Sequence, residues 1–99
     1  MRTGTTPTYV FKLPEAFTNV SKAKITFRQG NVLVLEKYLS DCTFVNGVIQ
    51  CPLTQEDTFK FRSDVRAEVQ LRIKLADGTT LSSPHYRVHV EGCSDQEVL

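Results

Sequence analysis

From Val65 to Leu75 apolar and polar residues alternate without a break: Val65, Ala67, Val69, Leu71, Ile73 and Leu75 interleave with Arg66, Glu68, Gln70, Arg72 and Lys74. Successive side chains of a strand point to opposite faces, so this stretch predicts a strand with one dry and one wet face. A helix would scatter the same apolar residues around its circumference. Asp77-Gly78 follows, a dipeptide that tolerates the positive φ of a type I′ turn, and predicts a hairpin. The returning strand, Thr79 to Val90, then places Tyr86 opposite Val69, Val88 opposite Ala67, Val90 opposite Val65 and Pro84 opposite Leu71. Proline has no N–H to donate, so this strand should be an edge, or break, at Pro84.

The earlier chain carries the same period. Thr8 to Leu13 predicts a strand with Tyr9, Phe11 and Leu13 on one face, ended by Pro14. Lys22 to Arg28 predicts another, with Ala23, Ile25 and Phe27 inward and Lys22, Lys24, Thr26 and Arg28 outward. A turn at Gln29-Gly30-Asn31 leads into Val32 to Leu39. Two registers stay open there: either Val32 and Val34 or Leu33 and Leu35 lie beside Phe27 and Ile25. The apolar run Val32 to Leu35 implies that both faces of this strand are covered. Asn46-Gly47 is the strongest short hairpin signal, between strands at Asp41–Val45 and Val48–Leu53. Its register pairs Val45 with Val48, Phe44 with Ile49, Thr43 with Gln50 and Cys42 with Cys51. Cys42, Phe44, Ile49 and Cys51 then share the core face. Leu53 to Thr58 predicts one helical turn, Thr54 accepting from the amide three residues on and Asp57 reaching back. Phe59 and Phe61 would plug the bottom of the core. About seven short strands with tight turns and one crossing give an all-β, antiparallel, immunoglobulin-like β-sandwich. The chain has no Trp, so it lacks the Cys–Trp–Cys hallmark of true immunoglobulin domains.

Ninety-nine residues make a single domain, 1–99, with an extended arm over 1–7 and a tail over 91–99. A formal net charge of +1 removes the bulk-charge argument for nucleic acid or a membrane surface. Arg66, Arg72, Lys74 and Arg87 share the outer face of the last hairpin with Glu68 against them. This patch lacks aromatic stacking partners, which disfavours nucleic acid and leaves a solvated face or a surface for an acidic protein. No apolar run is long enough for a spanning helix, and Met1 to Thr8 has no signal-peptide core. The expected compartment is a cytoplasm, or an assembly built there.

Candidate chemistry is sparse. His85 and His89 lie four residues apart on one strand, about 13 Å, too far to share a metal. Cys42 and Cys51 face each other closely enough for a disulfide in principle. In a reducing compartment a pair of adjacent, buried, reduced thiols is expected instead. Three cysteines are an odd number and fit no disulfide framework. Cys93 sits in the tail with nothing near it to lower its pKa. Hydrolase, phosphate-loop and dinucleotide motifs are absent. The reading is a non-enzyme with no catalytic, cofactor-binding or metal-binding residues and no small-molecule substrate.

Three stretches carry a resemblance: Arg2-Thr3-Gly4-Thr5-Thr6-Pro7-Thr8, Leu53-Thr54-Gln55-Glu56-Asp57-Thr58, and Asp95-Gln96-Glu97-Val98-Leu99. With them the chain resembles small uncharacterised proteins encoded by phages and prophages of gut Firmicutes. The resemblance implies a phage β-sandwich that is a virion component of tail, baseplate or head, made in the bacterial host cytoplasm and then built into the virion. It carries over no catalytic residues, and Cys51 departs from the group. The expected partners are copies of itself or other virion proteins. The expected contact residues are Thr5, Thr6 and Pro7 in a mobile arm, Pro84 at the edge, and Val98 and Leu99 in a mobile tail. The alternative is a soluble immunoglobulin-like adaptor that binds a phage or host protein through a sheet edge.

Overall fold

In the computed structural model the alternating stretches become two antiparallel sheets. The strands are β1 (Thr8–Lys12), β2 (Val20–Gln29), β3 (Val32–Tyr38), β4 (Thr43–Val45), β5 (Val48–Pro52), β6 (Ala67–Leu75), β7 (Thr80–Ser82) and β8 (Tyr86–Val88). One helical turn, α1 (Gln55–Phe59), crosses between β5 and β6. The structure describes residues 1–13, 19–82 and 86–92, with the backbone alone at Tyr86. Pro14, Pro84, His85, Cys93, Val98 and Leu99, each given a role above, lie outside the described residues.

The smaller sheet has the order β1-β5-β4, and the larger has β3-β2-β6 with β7 and β8 both pairing β6. Their inner faces close on one core that includes Ile25, Phe27, Ile49, Cys51, Val69 and Ile73. Two edge-on ring contacts run through it, Tyr9 to Phe27 at 5.4 Å and Phe27 to Phe61 at 5.7 Å. Tyr9 is on the small sheet and Phe27 on the large one, so the first contact ties the layers together. The fold is an immunoglobulin-like antiparallel β-sandwich in size and layering. Its second strand, however, sits between β3 and β6 in the larger sheet, where a constant-type immunoglobulin domain puts it in the opposite one.

Asn46-Gly47 turns as expected. Both residues have positive φ, 52° and 75°, and Val45, Phe44 and Thr43 pair with Val48, Ile49 and Gln50. The turn at α1 also follows the sequence. Thr54 Oγ1 accepts from the Asp57 N–H and Asp57 Oδ2 accepts from the Thr54 N–H, each at 3.0 Å. Phe61 joins the core, and Phe59 is half-buried.

Five local expectations are corrected. The second hairpin closes as a three-residue loop, Ala76-Asp77-Gly78, with the Leu75 N–H donating to Thr79 O. Asp77 Oδ1 accepts from the Thr79 N–H at 2.8 Å, which holds Asp77 at negative φ and leaves only Gly78 at +94°. Ile73 therefore faces Leu81, one residue off the two-residue register, while Val69–Tyr86 and Ala67–Val88 pair as expected. In the first hairpin Gly30-Asn31 is the turn, with Gly30 at φ +61°, and β3 carries a bulge at Val34. Phe27 then faces Leu35 and Ile25 faces Lys37, a register neither alternative foresaw. Val32 and Leu33 are exposed (64 % and 41 %) because β3 is an edge strand, so its two faces are not both covered. Residues Leu39–Asp41 form a 3-10 turn, closed where Asp41 Oδ2 accepts from the Tyr38 N–H, so β4 begins at Thr43 and not at Asp41. Finally, the strand expected from Val65 begins at Ala67, because the preceding segment is captured by Gln29. The buried Gln29 amide donates to Arg62 O (2.8 Å) and Val65 O (3.0 Å) and accepts from the Arg62 N–H (2.7 Å).

The arm is not free. Arg2 forms a parallel bridge with Glu91, with the Thr3 N–H donating to Glu91 O and the Glu91 N–H donating to Met1 O. Arg2 also pairs with the Glu91 carboxylate. Thr3 is buried, Gly4 N–H donates to the buried Thr58 Oγ1, and the Leu53 N–H donates to Pro7 O. Residues 1–7 thus complete the domain, and Glu91 belongs to it rather than to a tail.

Candidate functional site

Strand order decides which wet side chains become one surface. On the large sheet β2 runs beside β6, so Lys22 lies directly opposite Lys74 and Lys24 opposite Arg72. Tyr38 extends the second row on one side, opposite Lys24, and Ser82 on the other, opposite Arg72. Thr80 extends the first row, opposite Lys74. Like charges in directly opposed positions destabilise a sheet. Lys24 is partly neutralised by Glu36 at 3.1 Å. The side chains of Lys22, Arg72 and Lys74 make no ion pair among the described residues. A shallow groove of about 280 Å³ runs among Lys22, Lys24, Tyr38, Arg72, Lys74 and Thr80, and Ala23 and Ile73 contribute to its lining. Further along the same face come Arg28, Glu68 and Arg87 in one row. Glu36 is held below the usual carboxylate range, first by the Lys24 hydrogen bond and then by the Tyr38 hydroxyl, which donates to it at 3.0 Å.

The outer face of the small sheet is chemically the reverse. Thr8, Val10 and Lys12 of β1, Val48, Gln50 and Pro52 of β5, and Thr43 and Val45 of β4 point away from the core. Lys12 is the one charge among these eight residues, and Val10 and Val45 are 53 % and 64 % exposed. The sandwich thus has one cationic and one nearly uncharged broad side.

Between the sheets, at the edge, lies the cluster that holds the thiol pair. Cys51 is buried and Cys42 half-buried; both are free thiols and hydrogen-bond to each other. Burial, and then the Cys42 hydrogen bond, push Cys51 up to about 12. Burial raises Cys42 as well. Thiols in this state are poor nucleophiles and poor metal ligands. Lys37 of β3 reaches over them to Asp57 Oδ2 at 2.9 Å, both side chains being mostly buried. Burial alone would raise the Asp57 carboxyl, but the Thr54 backbone N–H and then the Lys37 ammonium outweigh it and hold it below its usual range. The hydrogen bond to Asp57 raises Lys37. The cluster fastens β3 to α1, and every strong donor and acceptor in it is engaged.

The structure brings Cys42 and Cys51 together and separates the other candidates. Thr5 and Thr6 are exposed, but the arm that carries them is fastened to its own domain, and Pro7 O already accepts from Leu53. Sequence reasoning found Arg66, Arg72, Lys74 and Arg87 but missed Lys22, Lys24 and Arg28 on the same surface, because no turn links β2 to β6. Among the described residues no group of His, Cys, Asp and Glu could hold a metal, and no helix is long and apolar enough to cross a membrane.

No protein-family model matches the chain, nor does any curated protein. Among solved structures, the V domain of amphioxus IgVJ-C2 is similar at 13 % identity and a TM-score of 0.33, over 91 % of this chain and 96 % of that one. Likeness at that level transfers no residue and no role.

Proposed function

We propose that the chain is a non-enzymatic structural or assembly protein of a phage particle, working through contacts with other proteins. The observation that carries the contact reading is the outer face of the β1-β5-β4 sheet. It sets Val10, Val45 and Val48 among uncharged neighbours with one lysine, on a domain whose opposite side is densely cationic. An uncharged sheet face suits a flat protein partner, since little polar surface must be desolvated to cover it. The phage setting rests on the resemblance of the opening, the 53–58 stretch and the closing segment. The adaptor reading by sheet edge is left to β1, a five-residue edge strand, because β4, β7 and β8 have three residues each and β3 is bulged, features that blunt edge pairing.

The test is mass spectrometry of purified, washed particles from a strain carrying this gene, with Val10→Glu/Val45→Glu beside the wild type. The wild-type chain should be found in particles, and the variant should fold but be lost from them. A wild-type chain absent from particles and monomeric in the lysate overturns the proposal.

A further inference from the structure

The segment over residues 95–99 pairs acidic with apolar residues. It reads Asp95-Gln96-Glu97, two carboxylates at i and i+2, followed by Val98-Leu99. In an extended chain such residues fall on one side about 7 Å apart. The basic groove offers the complementary spacing twice: Lys22 to Lys24 along β2 and Lys74 to Arg72 along β6, the two pairs directly opposed across the strands. Tyr38, 48 % exposed at its side, gives an apolar pair something to cover.

Chain reach decides which copy of the segment can arrive there. Gly92 packs beside Ser63, and Val90 O accepts from the Asp64 N–H, so the last described residues sit at the start of β6. Arg72 and Lys74 sit at its far end. Val88 lies opposite Ala67 and the chain then runs on away from the groove, so from Gly92 to the Lys22–Lys74 row is at least the seven strand residues from Ala67 to Lys74, roughly 24 Å. Glu97 is five residues past Gly92 and reaches at most about 17 Å fully extended. The segment therefore cannot fill the groove of its own domain.

We infer that the Asp95-Gln96-Glu97 segment of one copy docks in the Lys22–Lys24–Arg72–Lys74 groove of the next. A nucleic acid fits less well, because the cationic square is compact, Glu36 and Glu68 interrupt the face beyond it, and Tyr38 is its one aromatic ring. The contact is head-to-tail, so repeated copies close a ring or extend a filament according to the rotation between neighbours. One contact between exposed charges is weak and salt-sensitive, and becomes useful by repetition. This inference rests on the assembly reading but concerns a different surface from the uncharged face.

The experiment is sedimentation velocity of the full chain over a concentration series at low and high salt. Wild type, Asp95→Asn/Glu97→Gln and Arg72→Glu/Lys74→Glu are compared, with a mixture of Arg72→Glu/Lys74→Glu and Asp95→Lys/Glu97→Lys as the charge-swapped pair. Wild type should associate at low salt and dissociate at high salt. Each single-sided variant should need at least tenfold more protein to associate, and the swapped pair should recover association on mixing. Wild type that stays monomeric throughout overturns the inference, as does an Asp95→Asn/Glu97→Gln chain that associates normally. Tighter binding of a single-stranded oligonucleotide than of a second copy also overturns it. If Asp95→Asn/Glu97→Gln still enters particles, the docking fails while the assembly reading stands.

Discussion

Gln29 is the side chain whose removal should cost most for its size. It sits at the end of β2, 6 % exposed, and its amide makes three hydrogen bonds of 2.7–3.0 Å to the backbone of Arg62 and Val65. Those bonds fix a loop that has no other regular structure and that holds Asp64 at φ +62°. Gln29→Leu keeps the volume and leaves one N–H and two carbonyls without partners. An unsatisfied buried group costs about 1–3 kcal/mol. The loop lies near the surface and can recover some of this by hydration, so a total of roughly 2–4 kcal/mol is expected. Gln29→Glu is the sharper test. It keeps an acceptor for the Arg62 N–H but turns a carboxylate oxygen toward two carbonyls. Its loss should be at least as large at neutral pH and should shrink in acid, where the protonated carboxyl donates to one of them. Urea unfolding at pH 7 and pH 4 measures both, and hydrogen exchange at the Arg62 and Asp64 amides reports the loop itself. A Gln29→Leu midpoint equivalent to less than about 0.5 kcal/mol of destabilisation would refute the reasoning.

Three further outcomes follow from the same accounting. Deleting residues 1–7 removes partners of Leu53 N–H, Thr58 Oγ1 and Glu91 N–H; after the arm's ordering entropy is offset, roughly 1–3 kcal/mol should be lost. Calorimetry should then show a melting temperature lower by about 5–15 °C, and an unchanged value would mean the arm is idle. Lys37→Met should cost roughly 1–3 kcal/mol by stranding Asp57. Because the folded Asp57 carboxyl is depressed, its contribution is whole above its unfolded value near 3.8 and disappears as pH falls through the folded one. The gap between wild type and Asp57→Asn should therefore close in acid, as read by urea midpoints from pH 2 to 6. Cys51 runs the other way: its folded value of about 12 lies above the unfolded 9.0, so the folded state holds the proton longer and stability falls as pH rises from about 9. In reductant, wild type should lose about 1.4 kcal/mol per pH unit more than Cys51→Val through that window, and parallel curves would contradict the buried-thiol assignment.

What was legible in the sequence was what neighbouring residues decide among themselves. Asn46-Gly47 sets its own φ angles and hence its register. Thr54 and Asp57 close a capping box within four residues. The alternation over 67–75 names the dry face of β6 residue by residue. Expectations went astray where a side chain reached outside that range. Asp77 bonds the Thr79 N–H and turns a two-residue hairpin into a three-residue one. The arm offered no apolar signal because backbone groups and a buried hydroxyl fasten it. Gln29 reaches Arg62, thirty-three residues away, with an amide that reads as turn chemistry in the sequence.

The surface follows the same division. Period two says which residues of a strand are wet, but not which wet residues are neighbours, since that depends on strand order. Lys22 and Lys24 were recognised as outward, and so were Arg72 and Lys74, yet as separate strands each is an ordinary solvated pair. Only the antiparallel β2–β6 pairing sets Lys22 against Lys74 and Lys24 against Arg72. A sheet that needed only solubility could interleave the signs at no cost to its core, as it does two rows further on, where Glu68 separates Arg28 from Arg87. The four cations instead gather at one end of the face, and Lys24 alone among them has a carboxylate beside it. Repulsion there is relieved when an anionic chain covers the groove, so the bound state gains what the free domain forgoes. The same arrangement makes the contact selective, because a segment without paired acids would have to desolvate the cations and offer nothing in return.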